Sequence, residues 1–229
     1  MPAPDAPALY AVIGNPIAHS QSPFIHAEFA RQTGQHIEYT RVLCPLDGFR
    51  QTIDAFVAAG GRGCNITVPF KFEAPPLARR LSPRAALAQA ANVLSFDQGA
   101  DGAGGWSADN TDGIGLVNDL AREGCALEGR RVLLLGAGGA CAGVLGPFIA
   151  GGPAEVVVAN RTLDKAQALV ERHQPWARQH GVALAARALD AAGTGFDVVI
   201  NGTASSLQQA AVPVAPQVLG AGAVAVDRS

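Results

Sequence analysis

A chain of 229 residues, 48% of them hydrophobic, can bury one large core or two modest ones, which excludes a disordered or fibrous protein. The formal net charge of −2 comes without a basic run, so nucleic acid and anionic membrane are excluded as partners and a small neutral or anionic molecule is left. Cys44, Cys64, Cys125 and Cys141 lack C-x-x-C spacing and the five histidines form no H-x-x-x-H pair, which argues against zinc and disulfides and for four small buried residues. The run Leu9-Tyr10-Ala11-Val12-Ile13 has no basic residues before it and is too short to span a bilayer, so no targeting or membrane segment is expected and a cytoplasmic location is.

In chain order, Leu9 to Ile13 predicts a first strand, ended by the turn chemistry of Gly14-Asn15-Pro16. Ser22 before Pro23 reads as an N-cap with proline at the first helical position, and Phe24, Ile25, Phe29 and Ala30 predict an apolar helix face. Capping alone explains Ser22. It does not explain Ser20, which leaves two hydroxyls near a strand end where a polyol could be gripped. Ile37 to Val42 predicts the next strand, and Phe49, Ile53, Phe56 and Val57 a helix stopping at Gly60-Gly61.

In Gly63-Cys64-Asn65-Ile66-Thr67-Val68-Pro69-Phe70-Lys71, Cys64, Ile66 and Val68 alternate with Asn65 and Thr67, giving a strand with one apolar face and one carrying an amide and a hydroxyl. Pro69 ends the ladder and delivers Lys71 just beyond it. The bland alternative is a half-exposed edge strand with a solvated lysine. Ser82-Pro83 predicts a capped helix through Ala90, Asn92 to Phe96 a strand, and Gln98 to Gly105 a glycine-rich turn. Asp109-Asn110-Thr111-Asp112-Gly113 then opens a helix, marked by Leu116, Val117 and Leu120, that runs to Gly124 and joins two halves, 1–108 and 109–229. Asp112 in its first turn could merely complement the helix dipole.

Arg131 to Leu135 is an apolar run without alternation, as in a parallel strand covered on both faces, and Gly136-Ala137-Gly138-Gly139-Ala140 follows at once. Gly136 allows a sharp turn, Gly138 a close backbone approach to a ligand, and Cys141 stands where the third glycine of G-x-G-x-x-G belongs; the helix that follows turns its first amides toward phosphate. Such a turn often only joins strand to helix, but Glu155 to Ala159 is a second buried strand ending in Asn160-Arg161-Thr162, where the dinucleotide fold reads the ribose. No carboxylate stands there to grip the 2′-hydroxyl of NAD. Arg161 offers a planar fork to a 2′-phosphate and Thr162 a hydroxyl, so the cofactor implied is NADP. A helix at Leu163 to His173, strands at Val182 to Ala186, Phe196 to Ile200 and Ala221 to Val226, and the preceding pair predict a doubly wound parallel sheet of order 3-2-1-4-5.

Together these motifs resemble the shikimate dehydrogenase family from about Leu9 to Asp227. Ser20-Gln21-Ser22-Pro23 is similar to its S-x-S-P loop, Asn65 to Lys71 to its N-V-T-V-P-F-K, and Asn110-Thr111-Asp112-Gly113 to its N-T-D-G; Gly136 to Ala140 and Asn160-Arg161-Thr162 are similar to its cofactor segments. The resemblance implies an α/β protein with an N-terminal substrate domain and a Rossmann-type NADP-binding domain, interconverting 3-dehydroshikimate and shikimate in aromatic amino-acid biosynthesis as a monomer or homodimer. It makes Lys71 and Asp112 the catalytic pair and Ser20, Ser22, Asn65, Thr67 and Asn92 the substrate contacts. Gly136, Ala137, Gly138, Gly139, Ala140, Asn160, Arg161, Thr162, Lys165 and Thr203 fall to the cofactor. A relative acting on quinate or another cyclic polyol acid, and a non-catalytic NADP-binding relative, remain alternatives.

Two departures from the family pattern stand out. Gln89-Ala90-Ala91-Asn92-Val93 keeps the amide of the family's G-A-x-N-T but loses the hydroxyl. The family's C-terminal strand and helices, with a substrate Gln and Tyr, have no counterpart after Val226-Asp227-Arg228-Ser229, from which weak activity, lower stability and self-association are expected.

Overall fold

The computed structural model describes residues 6–96, 105–203, 212 and 214–227. The chain divides into two compact units between Asn110 and Thr111, two residues beyond the boundary expected at 108/109.

The first unit holds strands β1 (Ala8–Gly14), β2 (Ile37–Leu43), β3 (Gly61–Ile66), β4 (Arg80–Leu81), β5 (Val93–Ser95) and β6 (Ser107–Asp109), with helices α1 (Ser22–Thr33), α2 (Phe49–Ala58) and α3 (Pro83–Ala88). They form one sheet, ordered β2-β1-β3-β5-β6-β4. β1 runs parallel to β2 and β3, β5 is antiparallel to β3 and β6, and β4 is parallel to β6. Phe49, Ile53 and Phe56 of α2 bury one face of that helix, as the i, i+4, i+7 spacing predicts, in a core with Ile13, Ile66, Phe70 and Leu94. The Phe49 and Phe70 rings stack at 4.9 Å there.

Several expectations are corrected in this unit. β3 lies inside the sheet and not at an edge, and its ladder ends at Ile66, before Thr67. β4 and β6 were not foreseen, because two or three residues are too few to show a period. α3 is capped by Ser82, whose hydroxyl accepts the Ala85 N–H at 3.2 Å, but it ends at Ala88, where Gln89 turns left-handed at φ 51°. Ser22 is the first helical residue of α1 and not its cap; Gln21 holds the cap position. The apolar face expected of α1 is not buried either, since Phe24, Ile25 and Phe29 are 73%, 43% and 55% exposed. Most of the glycine-rich turn expected at Gln98 to Gly105 lies outside the described residues.

The second unit holds α4 (Asp112–Arg122), β7 (Arg131–Leu135), α5 (Gly139–Ala150), β8 (Glu155–Asn160), α6 (Leu163–Gln179), β9 (Ala183–Ala188), β10 (Phe196–Asn201) and β11 (Leu219–Asp227). The sheet is β11-β10-β7-β8-β9, every pair parallel, which is the expected 3-2-1-4-5 order. Val132 to Leu135 and Val156 to Ala159 are fully buried, as the unbroken apolar runs require of strands covered on both sides. α6 outruns its expected end at His173 by six residues, with Pro175 inside it. Trp176 holds the extension down by donating its indole N–H to the Gly146 carbonyl of α5 at 3.1 Å, and Ala177 is fully buried. All four cysteines are buried and free, as expected.

Candidate active site

The expected substrate residues of the first unit gather where β1 and β3 end. The chain turns out of β1 through Asn15-Pro16, and the loop that follows is clamped by Arg41 of β2, which donates two hydrogen bonds to the Ser20 carbonyl at 2.8 and 2.6 Å. In that loop the Ser20 hydroxyl donates to the Ser22 hydroxyl at 3.1 Å and accepts the Ser22 backbone N–H at 3.3 Å. Ser20 thus closes a short side-chain turn onto Ser22, while no side chain caps α1.

Asn65 stands one residue before the end of β3. Its Oδ1 accepts from the Tyr39 hydroxyl at 2.6 Å, and its Nδ2 donates to the Asn92 carbonyl at 3.3 Å. The same carbonyl accepts the Ile66 N–H, and the Asn92 N–H reaches the Asp109 carbonyl at 3.0 Å. Thr67 hangs its N–H on the Ile13 carbonyl at 3.0 Å. Lys71 lies in the short 3₁₀ turn Phe70–Phe72, and its carbonyl accepts the Ala91 N–H at 2.8 Å, so its backbone is tied beside Asn92. Asn65 and Asn92 thus share one hydrogen-bonded border of the sheet, with Thr67 and Lys71 on the turn that leaves it and the bonded pair Ser20 and Ser22 in the loop and helix start that follow β1. All six side chains are half-buried, reachable by solvent yet held in place.

Two residues that the sequence did not single out belong to this group. The Tyr39 ring on β2 is stacked on the His26 imidazole of α1, centroids 4.1 Å apart and planes 7° apart. Burial, with the Cys64 thiol nearby, pushes the Tyr39 phenol up well above its ordinary range, so the hydroxyl keeps its proton; a hydrogen bond from Ser22 opposes this. Burial lowers the His26 pKa and a hydrogen bond with Asn65 works against it.

In the second unit the expected cofactor residues stand at the carboxyl ends of β7, β8 and β10, the end at which open parallel sheets bind ligands. Gly136, at φ 107°, turns the chain off β7 in a conformation that glycine alone adopts easily, and its N–H bonds to the Ala159 carbonyl at 2.8 Å. Ala137 and Gly138 lead into α5, whose first turn, Gly139 and Ala140 onward, has no side-chain cap. A Cβ on Gly138 would meet nothing within 4 Å, so the approach to those amides is open. Cys141 is buried beneath the turn and its thiol bonds to the Leu135 carbonyl at 3.3 Å. The Asn160 amide donates to the Thr162 carbonyl at 2.8 Å, and Arg161, Thr162 and Lys165 are exposed there, with Asp164 in the first turn of α6 but no carboxylate at the 160–162 strand end. Beyond β10, Asn201 Oδ1 accepts both the Thr203 hydroxyl at 2.7 Å and the Thr203 N–H at 3.2 Å. Asn201 was also missed from sequence, where it reads only as a strand's last residue.

An open glycine turn, uncapped helix amides and two exposed cations suit a dinucleotide with a phosphorylated ribose. Asp112, the first residue of α4, is backed by Gly113, where a Cβ would lie 2.4 Å from the Gly143 carbonyl, so α4 and α5 meet backbone to backbone.

Among the described residues no helix is long and apolar enough to cross a membrane. Residues 12–94 match the shikimate dehydrogenase substrate binding domain, and residues 119–212 match the shikimate/quinate 5-dehydrogenase family. The NADP(+) shikimate dehydrogenase of Methylibium petroleiphilum is 58% identical over 225 residues, 95% of this chain and 75% of that one. That of Acidovorax sp. (strain JS42) is 54% identical over 220 residues, 96% of this chain and 76% of that one. Among solved structures, the shikimate 5-dehydrogenase of Thermus thermophilus, in complex with NADP(H) and shikimate, has a TM-score of 0.79 at 29% identity and covers 96% of this chain and 78% of that one. With the substrate-type border in one unit and the dinucleotide-type sheet end in the other, the chain belongs to the shikimate dehydrogenase family.

Proposed function

We propose that this chain catalyses the NADP-dependent, reversible reduction of 3-dehydroshikimate to shikimate. The observation that carries this reading is the border where Asn65 bonds to Asn92 and the Lys71 backbone is tied beside them, with the bonded pair Ser20 and Ser22 following β1, because a polyol acid needs several fixed hydroxyl and amide partners next to a proton donor. NADP, when bound, supplies hydride transfer to and from the substrate's carbinol carbon. Gly136, Ala137, Gly138, Gly139 and Ala140 would hold its pyrophosphate, Arg161 and Lys165 its 2′-phosphate, and Asn160, Thr162 and Thr203 would border it. On the protein's side, Lys71 gives a proton to the oxygen that becomes the alcohol and takes it back in the reverse direction, and Asp112 is the carboxylate of the catalytic pair. Ser20, Ser22, Asn65, Thr67 and Asn92 hold the substrate's hydroxyls and carboxylate. The reading includes a cytoplasmic enzyme acting as a monomer or homodimer.

The test is the formation of reduced nicotinamide by the purified chain with shikimate and NADP, run beside quinate and calorimetric titrations of both acids. Saturable binding and turnover of shikimate, with quinate poorer, are expected. Failure of shikimate both to bind and to be turned over would overturn the assignment.

A further inference from the structure

The hydrogen bonds around Tyr39 run in one direction. The Asn65 Nδ2 faces the Asn92 carbonyl, which can only accept, so the amide can stand only one way round and its Oδ1 faces Tyr39. Tyr39 has one proton and donates it to that oxygen at 2.6 Å. The Asn65 amide is thus held at both ends, by Tyr39 at Oδ1 and by the Asn92 carbonyl at Nδ2, and its second Nδ2 proton is left for a ligand.

The two partners belong to different strands: Asn65 stands near the end of β3, while Tyr39 comes from β2, on the far side of β1 from β3. His26, one helical turn beyond Ser22 on α1, lies flat on the Tyr39 ring and keeps it from swinging away.

We propose that Tyr39 is a positioning residue for substrate recognition, holding the Asn65 amide in place with its second N–H left for the substrate. The inference rests on the reading of Asn65 as a substrate contact. A phenylalanine at 39 would keep the ring, its stacking on His26 and its packing, and would remove the 2.6 Å hydrogen bond to Asn65 Oδ1. The amide would keep the orientation that the Asn92 carbonyl sets, but without its shorter bond it would be placed less tightly for the substrate.

The experiment measures KM and kcat with shikimate, KM for NADP, and the calorimetric Kd for shikimate, in the parent chain, Tyr39→Phe, Asn65→Ala and the double variant. Tyr39→Phe is expected to raise the KM and Kd for shikimate about fivefold or more, the size of one or two neutral hydrogen bonds, with kcat and the KM for NADP within about twofold. If Tyr39 acts through Asn65, the double variant will bind shikimate no more weakly than Asn65→Ala alone. A purely packing role for the ring, which phenylalanine keeps, would leave both the melting temperature and the shikimate constants of Tyr39→Phe at the parent's values and would overturn the positioning role. If Asn65→Ala weakens shikimate and Tyr39→Phe does not, or if the two effects simply add, the positioning role is overturned while the reading of Asn65 stands. If Asn65→Ala has no effect on shikimate, the reading of Asn65 is what fails, and the inference falls with it.

Discussion

Gly202 and Cys141 touch so closely that a Cβ on Gly202 would lie 2.5 Å from the Cys141 Sγ. Cys141 is fully buried and its thiol is tied to the Leu135 carbonyl, so it has little room to retreat. Gly202→Ala is therefore expected to destabilise the protein by about 1–3 kcal/mol, the usual cost of an inserted methyl in a packed site. Cys141→Ala removes the atom that is struck, so the double variant should recover most of that loss. Urea denaturation of the two single variants and the double one measures the coupling, and strictly additive losses would show that the clash lies elsewhere.

Lys71→Ala should lower turnover of shikimate by about 100-fold or more, the typical worth of a positioned acid/base. Its backbone carbonyl, which accepts the Ala91 N–H, is untouched by the change, so the calorimetric Kd for NADP should stay within about twofold. Steady-state and single-turnover rates check this, and a rate within a few-fold of the parent would remove Lys71 from the role.

Arg161 stands exposed at the end of β8 with no carboxylate at the neighbouring Asn160 and Thr162. Arg161→Ala should weaken NADP by about tenfold or more, since a charge-assisted hydrogen bond contributes roughly 1.5–3 kcal/mol. NAD, which lacks the 2′-phosphate, should be bound almost as before. Titration with both dinucleotides reads the difference, and equal losses for the two would show that Arg161 does not discriminate between them.

His173 is fully buried in α6, its Nδ1 bonded to the Leu169 carbonyl at 2.9 Å and its Nε2 without a hydrogen-bond partner among the described residues. Burial is the main cause that lowers its pKa from 6.5 to about 4; the bond to Leu169 opposes the shift and the Arg172 charge adds to it. In the fold the ring stays neutral where the unfolded chain would take a proton. The unfolded state thus binds more protons below about pH 6.5, and stability is full above that value and falls as the pH drops toward 4. Integrated over the window the loss approaches about 3 kcal/mol. Urea melts of the parent and His173→Leu across this range, taken as a difference, should show a flatter profile in the variant; parallel profiles would show that another group sets the acid sensitivity.

What was legible in the sequence followed from how much of each signal is local. The buried runs of β7, β8 and β10 and the order of their sheet could be read, because a strand covered on both faces has no choice but to be apolar along its length. The end of α6 was misread because Pro175 argues locally for a stop, whereas the Trp176 indole and the burial of Ala177 hold the helix together through contacts 30 residues away and more. The α1 face failed for the opposite reason: Phe24, Ile25 and Phe29 have helical spacing, yet nothing in the spacing says that a core will receive them. The motif residues from Ser20 to Thr203 could be listed from the chain. Tyr39, His26 and Asn201 could not, because each matters through one partner distant in sequence or through a bond to a neighbour that the letters do not show.

The antiparallel return of β5 has a consequence for how binding would spread through the first unit. Because β5 starts where β3 stops and where β6 also stops, the bonds from the Ile66 N–H to Asn92, from Ala91 to Lys71 and from Asn92 to Asp109 lie along one border. Breaking any of them exposes its amide to solvent deuterium only when that border opens. A ligand gripped by Asn65 and Asn92 would slow isotope uptake at residues 66, 91 and 92 together, and the protection would extend to Asn110, whose side chain bonds to the Ala90 carbonyl at 2.9 Å just where the chain leaves the unit. Occupancy of the border would therefore be recorded in the amides that precede the second unit, with no change in shape required of either.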